Sequence, residues 1–167
     1  DHPRYLKAVD DLVAACKRVG VRRLLFASSG GTVYGEQEVF PCREDHPKRP
    51  GSPYGCAKFA VELYLDAFRR AGDLDPIVLR YANVYGPRQD PFGEAGVVAI
   101  FCGRVQRKEP LVIYGDGRQT RDFTFVTDVA DALVRAASAP RATEGPMNLG
   151  GGRRISILDL AKVIGKA

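Results

Sequence analysis

Ser52-Pro53-Tyr54-Gly55-Cys56-Ala57-Lys58 is the stretch that organises the chain, with Leu24-Leu25-Phe26-Ala27-Ser28-Ser29 lying upstream of it. Ser-Pro is a helix start signal, so Tyr54 and Lys58, four apart, share one face of the first turns. A phenol titrates near ~10 and is a poor base at neutral pH. An ammonium held nearby favours the phenolate, which is how a tyrosine becomes a usable proton acceptor. The apolar run 24–27 reads as a buried strand with Ser28 and Ser29 at its carboxyl end, where ligands bind in open α/β sheets. A phenol, an amine and a hydroxyl then converge on one point. A bare Tyr-x-x-x-Lys is common by chance, and its plain alternative is a half-buried helix start with a solvated lysine.

The 167 residues are 45% hydrophobic and 27% charged, an ordinary globular composition that supports one core or one and a half layered units. The net charge of +5 comes without a long basic run or interleaved aromatics, which argues against a nucleic-acid surface. A mild positive excess suits an anionic diphosphate ligand. Cys16, Cys42, Cys56 and Cys102 show no metal-ligand spacing, and with only His2 and His46 beside them no metal site is expected. Free thiols in a reducing compartment follow, and no stretch approaches the ~20 apolar residues of a membrane span. The expectation is a soluble cytosolic protein with no signal peptide.

Around the central stretch, the pattern Leu6, Val9, Leu12, Val13 and Cys16 predicts a helix from about Tyr5 to a Gly20 stop. A strand over 21–27 and a glycine turn at 30–31 follow, then a polar loop over 36–53 punctuated by four prolines. The helix at 54–70 leads to a buried strand at 77–81 and a Gly/Pro-rich loop over 83–95. Further on, a helix is expected at 97–108, strands at 111–114 and 122–126, and a helix capped by Asp128. A strand or turn at 147–149 and a helix capped by Ser156 close the chain, Asp159 completing a box-like start.

The order strand, SSGGTVYG, polar loop, SPYGCAK, IVLRYANVYGPRQ resembles the extended short-chain dehydrogenase/reductase family, most closely its nucleotide-sugar 4-epimerases of the UDP-glucose/UDP-galactose type. The resemblance runs from about residue 12 to the end. It implies an α/β fold: a partial Rossmann-type parallel sheet, the catalytic edge, over 1–82, and a small α/β substrate-binding lobe over most of 83–167. The strand at 123–126 and its helix are the part that could pack back on the sheet. The resemblance further implies that bound NAD takes hydride from the sugar's 4-hydroxyl carbon and returns it from the other face. Tyr54 would be the base, and Lys58 would support it and bond the nicotinamide ribose. The hydroxyl partner would be Ser29, with Thr32 in reserve, because the position where relatives usually place Ser or Thr is here Gly30. Ala27, Ser28 and Tyr81 would line the cofactor. Dehydratases of the family typically carry an Asp-Glu pair, and decarboxylases a Glu, where this chain has Gly31-Thr32, so the resemblance favours epimerisation over those reactions.

Substrate contacts are implied in the same way. Asn83 matches the residue that meets the sugar or its phosphate, and the helix opening at Gly96-Val97 offers free N–H groups suited to phosphate. Tyr114 in VIYGDG resembles a residue beside the base; Gln119 and Arg121 in GRQTRDF resemble diphosphate and ribose contacts. Bland alternatives are that Tyr114 is core, that Arg121 pairs with Asp122 or Asp128, and that Asn148 is a turn residue. The chain has no GxxGxxG turn and stops in a helix where relatives continue, so an internal piece of a longer enzyme with weak NAD binding on its own is expected; its departure from the family at Ala8–Leu12 bears on how that helix packs against the cofactor. A homodimer through the two long helices is a further implication of the resemblance.

Overall fold

A computed structural model describes residues 2–93, 96–140 and 145–166, the side chains of His2 and Pro3 excepted. In chain order come helix α1 (His2–Val19), strand β1 (Arg23–Ser29), helix α2 (Pro53–Arg70), and strands β2 (Asp75–Tyr81) and β3 (Asn83–Tyr85). Helix α3 (Val97–Gln106), strands β4 (Thr120–Arg121) and β5 (Phe123–Phe125), and helix α4 (Val126–Ser138) follow. Strands β6 (Met147–Leu149) and β7 (Ile155–Ser156) precede helix α5 (Ile157–Ile164). The chain divides into two units, residues 1–81 with 131–149, and residues 82–130 with 150–167.

The first unit is built on a three-stranded sheet in the order β1-β2-β6. Both pairings are parallel, Ser29 lying opposite Tyr81 and Leu79 opposite Met147. A parallel strand covered on both faces reads as a continuous apolar run, and β2 is buried from Pro76 to Arg80. Val13 and Cys16 of α1 meet Val61 and Leu65 of α2 and Val78 of β2, with Leu24 and Phe26 packed alongside. The 3.6-residue period of both helices sets these positions on their inner faces. Gly20 (φ 77°) ends α1 in the left-handed region, and the Val21 N–H reaches the Cys16 carbonyl at 2.9 Å. Ser52 caps α2 by accepting from the Gly55 N–H at 3.1 Å, with Pro53 just inside the start.

One charged pair lies inside this unit. The Arg80 guanidinium bonds Glu62 of α2 at 2.6 Å, and the two side chains are 1% and 5% exposed. A salt bridge so deeply buried holds only because each charge has its partner and its hydrogen bonds filled. Nη1 of Arg80 also donates to the Tyr34 hydroxyl at 2.7 Å and to the Glu44 carbonyl at 3.3 Å. Arg23 is half-buried and donates to Asp75 at 2.6 Å and to the Ala137 carbonyl at 3.2 Å.

In the second unit β3 runs parallel to β5, and β4 runs antiparallel to β7. Phe101 of α3 packs with Ile157 and Leu160 of α5, and Leu111, Ile113 and Phe123 close around them. The strand expected at 111–114 carries no regular secondary structure: Leu111 and Ile113 are held by side-chain packing, and Pro110 before them has no N–H to donate. The 83–95 loop begins instead as β3, because Asn83–Tyr85 find Phe123–Phe125 as partners. Residues 131–149 group with the first unit because β6 bonds to β2. Ser156 caps α5, accepting from the Asp159 N–H at 3.1 Å and donating to its carboxylate at 2.7 Å. No helix of the described residues is long and apolar enough to cross a membrane.

Removing one member of the buried pair leaves the other charged and unpartnered. Arg80→Met is expected to destabilise the protein by roughly 3–5 kcal/mol in urea denaturation, and adding Glu62→Leu to regain much of the loss. Ser52→Ala should cost about 1 kcal/mol by the same measurement, through loss of the α2 cap.

Candidate active site

The carboxyl end of β1 and the first turns of α2 meet in the first unit. Tyr54 stands in the first turn of α2 and is 56% exposed, which a phenol must be to meet a ligand. Lys58, one turn on, places its Nζ 5.6 Å from the Tyr54 ring centroid and 5.0 Å from that of Phe26. The same Nζ donates to the Ala27 carbonyl at 3.0 Å, so the amine is fixed between strand end and phenol. Cation–π attraction to both rings adds to that anchoring.

The turn after β1 is folded tightly against this pair. Ser29's carbonyl accepts from the N–H groups of Thr32 and Val33 at 3.3 and 3.1 Å. Gly30 donates to the Tyr81 carbonyl at 2.9 Å, which carries the β1–β2 pairing one residue further and draws Tyr81 to the turn. Gly55 is where the helix abuts this turn: a Cβ there would stand 2.7 Å from the Thr32 carbonyl oxygen and 3.0 Å from Pro50 Cβ. Thr32 Oγ1 is buried and has no hydrogen-bond partner. Such an orphaned hydroxyl is uncommon in a folded protein and points to a group that completes it.

Ser28 takes a different course from the other residues at this strand end. It is 3% exposed, and its hydroxyl donates to Glu62 Oε1, away from solvent. Ala27, Ser29, Thr32, Tyr54, Lys58 and Tyr81 are thus gathered around the turn, with Ser28 turned beneath it. Burial pushes the Tyr81 phenol above its ordinary value.

In the second unit, Asn83 is exposed at the start of β3, its N–H donating to the Asp122 carbonyl at 2.9 Å. Gly96 caps α3 at φ 112°, and the Gln89 side chain fills the place of a Cβ at 2.8 Å, so only glycine opens the helix before Val97. Tyr114 is 83% exposed, which removes it from the core. The Gln119 amide donates to the Tyr114 carbonyl at 3.1 Å and closes the loop between them. Arg121 is exposed on β4 and donates to the Thr120 carbonyl at 2.8 Å. Asp122 does not pair with it: that carboxylate accepts from the N–H groups of Gly151 and Gly152 at 3.1 and 2.9 Å.

Sequence reading missed the polar residues under the serine turn. Glu62 follows Lys58 by four, so Tyr54, Lys58 and Glu62 form one stripe on α2, and that spacing was the available signal. Asn148, expected as a turn residue, lies in β6 with every polar group of its side chain engaged: Oδ1 accepts from the Tyr34 hydroxyl at 2.6 Å, and Nδ2 donates to the Cys42 carbonyl at 2.8 Å. Its backbone N–H donates to Glu44 Oε1 at 2.9 Å. Burial raises the Tyr34 phenol above its ordinary value although Arg80 pulls it down. Burial also opposes the Arg80 charge, but the bonds and attraction from Glu62 outweigh it and keep the guanidinium protonated.

With this geometry in hand, likeness to known proteins is informative. The NAD dependent epimerase/dehydratase family matches residues 4–150. The chain belongs to that family. A UDP-glucose 4-epimerase of Mycolicibacterium smegmatis is 48% identical over 146 residues, covering 87% of this chain and 44% of that protein. The crystal structure of a Thermotoga maritima UDP-glucose 4-epimerase with UDP-glucose superposes with a TM-score of 0.90 at 43% identity, over 95% of this chain and 51% of the other. A Thermus thermophilus UDP-glucose 4-epimerase in complex with NAD gives 0.88 at 41% identity, over 97% and 53%. The chain thus spans about half the length of the relatives it matches, and its α/β fold is that of Rossmann-type epimerases.

The Asn148 N–H holds the Glu44 carboxyl below its ordinary value of 4.5. A depressed folded value stabilises the protein above the unfolded value, and the contribution disappears as pH falls through the folded one. Glu44→Gln should therefore lower the melting temperature in the neutral range and flatten its fall below pH 4.5, the variant and parent curves converging in acid, measured as melting temperature against pH.

Proposed function

We propose that this chain is the catalytic and substrate-binding part of an NAD-dependent enzyme that inverts C4 of a nucleotide-diphosphate sugar of the UDP-glucose/UDP-galactose type. The observation that carries the reading is the Lys58 amine held between the Ala27 carbonyl and the exposed Tyr54 ring. Likeness to 4-epimerases that bind UDP-glucose and NAD supports it. The residues fit the nicotinamide end of such a cofactor: an exposed phenol and a fixed amine stand at the carboxyl end of β1, and the turn that follows carries the unpartnered Thr32 hydroxyl. NAD supplies the acceptance and return of hydride.

The chain's own groups do the rest. Tyr54 takes the proton of the 4-hydroxyl and later gives it back, while Lys58 orients the phenol and its charge favours the phenolate form. Ser29 at the strand end, with Thr32 in reserve, supplies the hydroxyl that orients the sugar's 4-oxygen. Ala27, Ser28 and Tyr81 wall the cofactor side, Ser28 through its backbone. In the second unit Asn83, the N–H groups at Gly96-Val97, Tyr114, Gln119 and Arg121 receive the nucleotide diphosphate, Arg121 as the bidentate cation. No carboxylate stands between Ser29 and Val33, and an elimination would need an acid and base there. A cytosolic homodimer belongs to the same reading: Cys16, Cys42, Cys56 and Cys102 are free thiols, and α1 and α2 expose Leu12, Leu63 and Tyr64.

In the full-length protein Tyr54→Phe is expected to lower turnover by at least about 100-fold while UDP-sugar affinity stays near that of the parent. Retained turnover refutes the assignment of Tyr54. Product NMR should show a C4 epimer; a deoxy-keto sugar would place the protein among the dehydratases instead.

A further inference from the structure

The catalytic helix is fixed to the serine turn by more than packing. Two side chains one turn apart on α2 reach two successive residues of β1: Lys58 Nζ donates to the Ala27 carbonyl, and Glu62 accepts from the Ser28 hydroxyl. Tyr54 begins the same stripe one turn earlier. Glu62 is in turn gripped by Arg80, whose Nε lies 3.0 and 3.2 Å from its two oxygens and whose Nη2 bonds Oε2 at 2.6 Å. Arg80 precedes Tyr81, and the Tyr81 carbonyl holds Gly30 of the turn. Glu62 therefore ties together the end of β1, the end of β2 and the helix that carries the phenol.

Hydrophobic packing alone does not fix such a register. Val61 and Leu65 seat α2 on the sheet, but apolar contacts are non-directional and tolerate small slides. Hydrogen bonds to a buried charge have set lengths and directions, and an error of ~1 Å at a reacting group can cost on the order of 100-fold in rate. The hydroxyl of Ser28 faces Glu62 and not the ligand side, so its service to the reaction is indirect.

We propose that Ser28 and Glu62 are positioning residues: the Ser28 hydroxyl, held by the Arg80-paired carboxylate of Glu62, sets the serine turn against Tyr54. The inference rests on the reading of Tyr54 as the proton acceptor. Ser28→Ala is the discriminating variant, since it removes one oxygen, leaves the Glu62–Arg80 pair in place and opens little space.

The test is made in the full-length protein by two measurements. Hydrogen exchange should show the Thr32 and Val33 amides, which bond the Ser29 carbonyl, exchanging about tenfold faster in Ser28→Ala while β1 interior amides are unchanged. Turnover should fall about tenfold with KM within about twofold, and Ser28→Thr, which restores the hydroxyl, should recover most of it. A structural role alone would lower the melting temperature and leave kcat of the folded enzyme as it was. Unchanged protection of the turn amides overturns the proposal, as does parental kcat in Ser28→Ala beside an inactive Tyr54→Phe. If Tyr54→Phe stays active, it is the reading of Tyr54 that fails, and the exchange measurement still decides whether Ser28 holds the turn.

Discussion

The structure of the first unit depends on a charged pair with almost no access to water. Glu62 and Arg80 sit where the inner face of α2 meets the second strand of the sheet, and neither charge is tolerable there alone. Their partners complete the arrangement: Ser28 below the serine turn and Tyr34 in the segment after it, which in turn bonds Asn148 on the third strand. Each comes from a different stretch of chain. A network of this kind adds little net stability over an apolar core, but it penalises every arrangement in which one member is misplaced. It gives the parallel sheet a single register.

That constraint accounts for why the side chains at the start of α2 can be exposed. Tyr54 and Lys58 lie at a helix start, where few apolar contacts hold them, and a site needs such access. Rigidity is supplied from behind, by the Ala27 carbonyl on Lys58 and by Gly55 letting the helix abut the Thr32 turn. The second unit shows another device. Its glycines at 150–152 wrap the Asp122 carboxylate, and Gln89 backs the αL start of α3. Arg121, next to Asp122 in the chain, is left exposed.

Much of this was legible in the residues. The apolar run of β1, the Ser-Pro start of α2, Gly20 after α1 and the Ser156 cap of α5 each carry their own local cause. What could not be read were elements defined by a distant partner. Asn83–Tyr85 is a strand only because Phe123–Phe125 lies beside it, and Leu111–Tyr114 is none because no strand among the described residues pairs with it, although its composition is more strand-like. Glu62 and Arg80 were overlooked for a related reason. A charged residue on a helix or strand reads as a solvent face until its opposite number, here 18 residues away, is known to be buried with it.

At the centre of the proposed function is an amine, fixed by a strand carbonyl, that would fit a phenol for proton transfer at the sugar. Lys58→Met in the full-length protein, with UDP-glucose turnover followed by NMR, tests it most directly. The account predicts a loss of at least about 100-fold with the nucleotide sugar still bound. Turnover at the parental rate would contradict it.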